Sequence, residues 1–136
     1  FPTLSVEVDG RALIQSQPGL VVVANSRQYA ARLDPARSAS MTDGLLDVVF
    51  YPHRSRVRLG AWGLRTALGV HTRSRSLITA QGKRVHIRCA GQAAPFQLDG
   101  ECAGRLLAEE PDGDRDQTEL RFEVRPGALR VLMPVN

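Results

Sequence analysis

Apolar residues recur at every second position over much of this chain, and turn-forming residues interrupt them at short intervals. Leu4, Val6 and Val8 alternate with polar residues, and Asp9-Gly10 then gives a hairpin signal. The second strand of this hairpin contains Ala12–Ile14 and is expected to end at Pro18-Gly19. The continuous apolar run Leu20–Ala24 that follows is predicted to be a strand buried on both faces. This rhythm restricts the chain to folds built mainly from short strands.

Further strands are predicted between later turn signals, at Leu45–Phe50, Ser76–Thr79, Val85–Cys89, Phe96–Leu98, Gly104–Ala108, Glu119–Val124 and Leu129–Leu132. Glu109–Asp116 is acidic, contains proline and glycine, and is predicted to be an exposed turn. One segment has helical spacing, because Val57, Ala61, Leu64 and Leu68 form an apolar stripe on a helix over about 55–68. About nine or ten short strands with one α-helix predict a mainly-β fold, either a β-sandwich or a distorted barrel.

Length and composition favour a single folded domain. The chain has 136 residues, 43% of them hydrophobic, with 18 basic and 14 acidic residues and a net charge of +4. Its longest apolar run, Gly19–Ala24, is far shorter than the ~20 residues of a membrane-spanning helix. No secretory signal is visible. Cys89 and Cys102 are expected to be buried or half-buried free thiols in a reducing compartment, with a disulfide between them as the alternative. The start at Phe1 rather than Met suggests a processed product or an excised piece of something longer.

The absence of several well-known motifs argues against the kinds of chemistry that those motifs support. No G-x-S-x-G elbow is present, and the three histidines have no metal-ligand spacing. Neither a P-loop nor a G-x-G-x-x-G phosphate cradle occurs. Aromatic residues make up only 5% of the chain, which argues against a stacking platform for nucleic acid. The chain by itself therefore has no visible means of holding a nucleotide.

Two elements combine acidic residues with glycine at a strand end. The first is Ser40-Met41-Thr42-Asp43-Gly44-Leu45-Leu46-Asp47-Val48-Val49, and the second is Phe96-Gln97-Leu98-Asp99-Gly100-Glu101. An isolated Asp-Gly pair is ordinarily a turn. The order of these blocks, followed by Arg125-Pro126-Gly127-Ala128-Leu129-Arg130-Val131-Leu132, resembles the C-terminal domain of the soluble diacylglycerol kinase-like lipid kinases, relatives of sphingosine and ceramide kinases.

The resemblance covers nearly the whole chain and implies a division of labour. It implies that residues 1–136 form the C-terminal β-sandwich domain, and that the N-terminal α/β domain, which binds ATP in this family, is absent from this chain. The intact protein would phosphorylate a lipid hydroxyl such as that of diacylglycerol, and this fragment alone would be inactive. The resemblance also implies a cytoplasmic protein that makes peripheral contact with the inner membrane face. Strands that precede Leu4–Val8 in the family are missing here, which leaves a sheet edge open and makes a homodimer possible.

Site residues also follow from the resemblance. Glu101 matches the family's proton acceptor, with Asp99 as its acidic neighbour. The loop from Ser40 matches a Mg²⁺ site that uses the side chain of Asp43 and the backbone carbonyls of Ser40 and Leu45. Hard oxygen ligands with retained waters are what Mg²⁺ requires.

Two alternatives stay open. The chain could be a stand-alone β-sandwich module that binds acidic ligands or a protein partner through its arginines, since all but one of the 18 basic residues are Arg. It could also belong with the polyphosphate- or NAD-phosphorylating kinases, although the Leu-Asp-Gly-Glu block near the C-terminus favours the lipid kinases.

Arginines beside Trp62 on the predicted helix suggest docking at an anionic lipid surface: Arg54, Arg58 and Arg65, followed by Arg73 and Arg75.

Overall fold

The computed structural model describes residues 2–27, 35–52, 77–108 and 116–129, together with residues 55, 57, 60, 61 and 64. These ranges contain nine strands. They are β1 (Thr3–Val8), β2 (Arg11–Ala24), β3 (Leu46–Pro52), β4 (Ile78–Gly82), β5 (Arg84–Ala90), β6 (Ala94–Leu98), β7 (Glu101–Leu106), β8 (Asp116–Gln117) and β9 (Glu119–Glu123).

The strands form two sheets. Six antiparallel strands lie in the order β4-β3-β2-β1-β5-β9, and three more lie in the order β6-β7-β8, with β7 and β8 parallel. The larger sheet is open, with β4 and β9 as its outer strands in the described part of the chain. The predicted mainly-β sandwich is thereby confirmed, and the strands of the described ranges do not close into the alternative, a distorted barrel.

The main core takes buried residues from both sheets, most of them from the large one. The alternation read from the sequence holds in β1, where Leu4, Val6 and Val8 are buried and the residues between them are half-exposed. Ala94 from β6 and Leu106 from β7 join the same apolar cluster, so the small sheet packs against this core. Burying each large side chain of this kind contributes roughly 1.5–3 kcal/mol. The other buried members are Ile14, Leu46, Val48, Phe50, Val85, Ile87 and Cys89.

Strand β3 is buried on both faces. Val48 and Phe50 belong to the main core, whereas Val49 and Tyr51 form a second cluster with Ala36 and Ala39 from the preceding loop. The double burial predicted for Leu20–Ala24 is wrong, because Leu20 is 43% exposed and the rest of that run is half-buried. The buried segment 35–39 packs on β3, and a sequence pattern cannot show which apolar strand a loop will cover.

Strand β2 does not end at Pro18-Gly19 as predicted. Its first part pairs with β1 as far as Pro18, and its second part pairs with β3 from Gly19 onward. Proline therefore stands where one ladder ends, a position that tolerates the missing N–H. A Cβ on Gly19 would lie 2.5 Å from Cζ of Phe50 and 2.6 Å from the carbonyl oxygen of Tyr51. Glycine is needed there because the neighbouring strand approaches too closely for a side chain.

The predicted helix lies largely outside the described residues. Val57, Gly60, Ala61 and Leu64 are helical, and the predicted apolar stripe is solvent-exposed where it is described, with Val57 82% and Leu64 62% accessible. Within the described residues, no helix is both long and apolar enough to cross a membrane. The predicted turn at Glu109–Asp116 and the predicted strand at Leu129–Leu132 also fall mostly outside the described ranges.

Both cysteines are free. Cys89 is buried, its thiol donates to the carbonyl oxygen of Leu106 at 2.9 Å, and burial raises its pKa. The expectation that Cys102 is also buried or half-buried is wrong, because this residue is exposed on β7. Cys102 lies beside the turn that joins β6 and β7, in the exposed first part of β7.

The predicted Asp9-Gly10 hairpin connects β1 and β2, with positive φ angles of 49° and 78°. Its Asp9 carboxylate accepts hydrogen bonds from the backbone N–H groups of Lys83 at 3.0 Å and Arg84 at 2.9 Å. These bonds hold the pKa of Asp9 below its ordinary value of 3.8. One turn thus fastens the β1–β2 hairpin to the connection between β4 and β5.

Gly19→Ala should destabilise the fold by about 1–3 kcal/mol, since the new methyl group meets the backbone and ring of an adjacent strand. Chemical denaturation measures the change. Gly60→Ala is the matched control, because nothing lies within 4 Å of a Cβ at that helical position. The control should be neutral or slightly stabilising. Equal losses in the two variants would contradict the packing explanation.

Asp9→Asn should lower the free energy of unfolding at neutral pH, and its difference from the wild type should shrink in acid. The folded-state pKa is lowered, so the contribution of Asp9 is present above the ordinary value of 3.8 and is lost as the pH falls through the folded value. Asparagine tolerates the left-handed backbone and keeps one acceptor oxygen. Urea denaturation over a pH series provides the measurement, and a difference that does not change with pH contradicts the prediction.

Candidate functional site

The loop that precedes β3 folds back on itself through short polar contacts. The Ser40 hydroxyl lies 3.1 Å from the Thr42 hydroxyl and accepts the Thr42 N–H at 3.3 Å. One carboxylate oxygen of Asp43, Oδ1, accepts the N–H of Leu45 at 2.9 Å. Gly44 between them has a φ of 71°, which favours glycine. The three predicted metal ligands, Ser40, Asp43 and Leu45, therefore belong to one compact turn.

The donor chemistry of this loop fits a weakly held Mg²⁺. The hydroxyls of Ser40 and Thr42 are engaged within the loop, which leaves the Asp43 carboxylate and backbone carbonyls as the oxygen donors expected for the ion. Asp43 is exposed, and its Oδ2 makes no hydrogen bond to any other described residue. A single carboxylate would leave the ion most of its water. Across the described ranges, no three His, Cys, Asp or Glu side chains cluster as a metal site.

A buried carboxylate holds the base of the same loop. Asp47 is only 3% exposed, and its Oδ1 accepts the Ser38 hydroxyl at 2.5 Å. The Gln81 side-chain amide on β4 donates to both carboxylate oxygens of Asp47, at 3.2 and 3.1 Å. Sequence reasoning gave Asp47 no role. The available signal was a charged residue inside the otherwise apolar strand Leu46–Phe50.

A second turn packs against the loop from outside. The Ala128 N–H donates to the Arg125 carbonyl at 3.3 Å and closes a turn in which Gly127 has a φ of 70°. Pro126 in this turn approaches Gly44 so closely that a Cβ there would lie 3.3 Å from its Cγ. The structure thus brings together two blocks that carried the family resemblance.

Asp99 and Glu101 lie at an exposed hairpin corner between β6 and β7. Asp99 and Gly100 both have positive φ angles, 51° and 89°, which is the two-residue turn typical of tight hairpins. Ala103 is an extra residue in β7, since Phe96 pairs with Gly104 and the next residue with Cys102. Bulges of this kind redirect the end of a hairpin and are frequent beside active sites.

The hairpin and the loop belong to different sheets. In the described part of the chain, the carboxylates of Asp99 and Glu101 make no hydrogen bond or ion pair, and neither is linked in that way to Asp43. Both acids are exposed and accessible to a partner or substrate from outside this chain. The role of Glu101 as a base remains a prediction.

Comparison with known proteins places this chain in a family. The family described as "YegS C-terminal NAD kinase beta sandwich-like domain" matches residues 2–133. The sequence is 29% identical over 127 residues to proteins named diacylglycerol kinase from two strains of Mycobacterium tuberculosis, CDC 1551 / Oshkosh and ATCC 25618 / H37Rv. The match covers 93% of this chain and 37% of each relative, so the chain spans little more than a third of their length.

Two solved structures share the fold. Both are proteins of Bacillus anthracis str. Sterne described provisionally as diacylglycerol kinases, with TM-scores of 0.59 and 0.60. Their sequence identities are 17% and 18%, and each similarity covers 77% of this chain but only 33% and 34% of the other chain. The strand order, the two-sheet core and the match over residues 2–133 lead to one conclusion: this chain belongs to the YegS C-terminal, NAD kinase-like β-sandwich family.

Proposed function

We propose that this chain is the C-terminal domain of a lipid kinase that transfers the γ-phosphoryl group of ATP to a lipid hydroxyl, such as that of diacylglycerol. The observation that carries the proposal is the 29% identity over 93% of the chain to proteins named diacylglycerol kinase. The nucleotide would bind mainly to a domain outside this chain, because no phosphate-binding motif occurs in it. Residues 1–136 alone should therefore show no kinase activity.

Glu101 is the proposed general base. A lipid hydroxyl that attacks phosphorus must lose its proton, and a carboxylate placed beside it accepts that proton. The exposed hairpin corner supports this role, since it presents Glu101 and Asp99 on a tight turn with no described side-chain partner. Asp99 adds negative charge beside the base. Excluding water from this corner would fall to a second domain that closes over it.

Asp43 is the proposed side-chain ligand of a Mg²⁺ ion, together with the backbone carbonyls of Ser40 and Leu45. When bound, such an ion supplies positive charge that neutralises phosphate oxygens. The loop contributes an exposed carboxylate held in one orientation by the Leu45 N–H. The Pro126 turn packs against this loop at Gly44.

The alternative, a stand-alone module with an arginine-rich binding surface, has less support. Arg88 lies in ion pairs with Glu7 at 3.7 Å and Glu119 at 3.3 Å, and Arg121 also pairs with Glu119. These arginines are partly neutralised on the outer face of the sheet. The arginines beside Trp62, from which we proposed peripheral membrane docking, lie outside the described residues.

Glu101→Gln in the longer protein should lower the rate of diacylglycerol phosphorylation by roughly 10²–10⁴-fold, because glutamine keeps the shape of the side chain but cannot accept a proton. The assay follows phosphate transfer from ATP to diacylglycerol in mixed micelles. Glu123→Gln is the matched control, since Glu123 is also an exposed strand residue, on β9, outside the two acidic blocks. Full activity in the Glu101 variant would remove Glu101 as the base. A wild type that is inactive towards diacylglycerol, sphingosine and ceramide alike would overturn the lipid kinase itself.

Asp43→Asn should weaken Mg²⁺ binding while leaving the thermal unfolding midpoint nearly unchanged. Asparagine keeps an oxygen that accepts the Leu45 N–H but removes the charge that attracts the ion. Asp43→Ala should weaken binding and also lose about 0.5–1.5 kcal/mol of stability with the turn hydrogen bond. Magnesium titration followed by the amide signals of Gly44 and Leu45 provides the measurement. Equal binding by wild type and Asp43→Asn would rule out this ligand.

A further inference from the structure

Asp47 is the one charged residue in β3, a strand otherwise made of buried apolar residues and a closing proline. Placing a carboxylate at 3% exposure is costly unless hydrogen bonds replace the lost water. An apolar residue at this position would avoid that cost. The hydrogen bonds that the Asp47 carboxylate accepts must therefore account for its presence in this strand.

The partners of Asp47 come from two different elements. Ser38 donates from the loop before β3 at 2.5 Å. Gln81 donates from β4, where it is the residue paired with Asp47 across the two strands. The Gln81 contact adds to a strand pairing that already exists. The Ser38 contact is different, because it joins the loop to the strand.

That bond closes a small ring of chain. Ser38 and Asp47 are nine residues apart, and Asp43 lies between them at the far side of the ring. On the Ser38 side, Ala36 and Ala39 are each 2% exposed and packed against Val49 and Tyr51. The ring is thus anchored on β3 at both ends, and Asp43 is displayed from it.

We propose that Asp47 is a positioning residue that, through Ser38, sets the orientation of the loop carrying Asp43 and so the Mg²⁺ affinity of that loop. This inference rests on the proposed function for the ion, and it adds Ser38 and Asp47 as supporting residues that do not touch the ion. Supporting partners of metal ligands typically change affinity by 10–100-fold when removed.

The test compares variants that break one contact at a time. Ser38→Ala removes the bond that closes the ring and leaves the Asp47–Gln81 contact. Gln81→Ala removes the other contact and leaves the ring closed. Ser5→Ala is a distant control of the same chemistry, because the Ser5 hydroxyl accepts the Ser16 N–H at 3.1 Å on the β1–β2 pair.

Two readouts are made on the whole chain, namely magnesium titration and amide hydrogen exchange. Ser38→Ala should weaken Mg²⁺ binding by about 10-fold and speed exchange at residues 41–45. Gln81→Ala and Ser5→Ala should lower the thermal midpoint without either effect. Asp47→Asn keeps an acceptor for Ser38 and should retain most of the affinity, whereas Asp47→Leu should behave like Ser38→Ala.

Unchanged exchange and binding in Ser38→Ala, with only a lower thermal midpoint, overturns the proposal and leaves Asp47 a structural residue. Because that variant keeps the buried carboxylate and its Gln81 partner, the result does not depend on whether Asp47→Leu folds. If the wild-type chain binds no Mg²⁺ at all, the magnesium part of the proposed function fails. Exchange at residues 41–45 then decides by itself whether Asp47 orients the loop.

Discussion

The burial of β3 on both faces is the constraint on which the rest of this structure depends. One face packs into the main core through Val48 and Phe50, and the other holds segment 35–39 through Val49 and Tyr51. Close packing around β3 also explains why its neighbour β2 carries glycine at position 19. A shift of β3 by one residue would exchange the two faces and disrupt both clusters.

The candidate site is built from turns at the ends of these strands. The loop with Asp43 leads directly into β3 and is tied to it by Ser38 and Asp47, so a buried strand is bonded to the loop that carries an exposed acid. The Pro126 turn reaches the same loop from the far end of the chain. Rigid strands that display polar turns are a common arrangement for binding sites in β proteins.

Exposed apolar residues accompany the candidate motifs. Met41 lies in the Asp43 loop, Leu98 precedes Asp99, and Leu129 follows the Pro126 turn, with exposures of 72%, 48% and 81%. The chain covers 37% of the length of its named relatives. Both facts agree with the proposal that the chemistry needs a second domain, since the acids by themselves are open to water and lack a phosphate-binding element.

The sequence by itself determined the mainly-β class, the Asp9-Gly10 hairpin and the acidic-glycine blocks, because period-two alternation and turn residues are local properties. Strand bounds shifted by a few residues, and β2 ran through Pro18-Gly19, since hydrogen bonding to two different partners decided its length. Tertiary structure alone decided that β3 rather than Leu20–Ala24 is doubly buried, that Asp47 holds Ser38 and Gln81, and that Pro126 meets Gly44. Those contacts join residues 9 and 34 positions apart, and 82 positions apart for Gly44 and Pro126, so no local pattern specifies them.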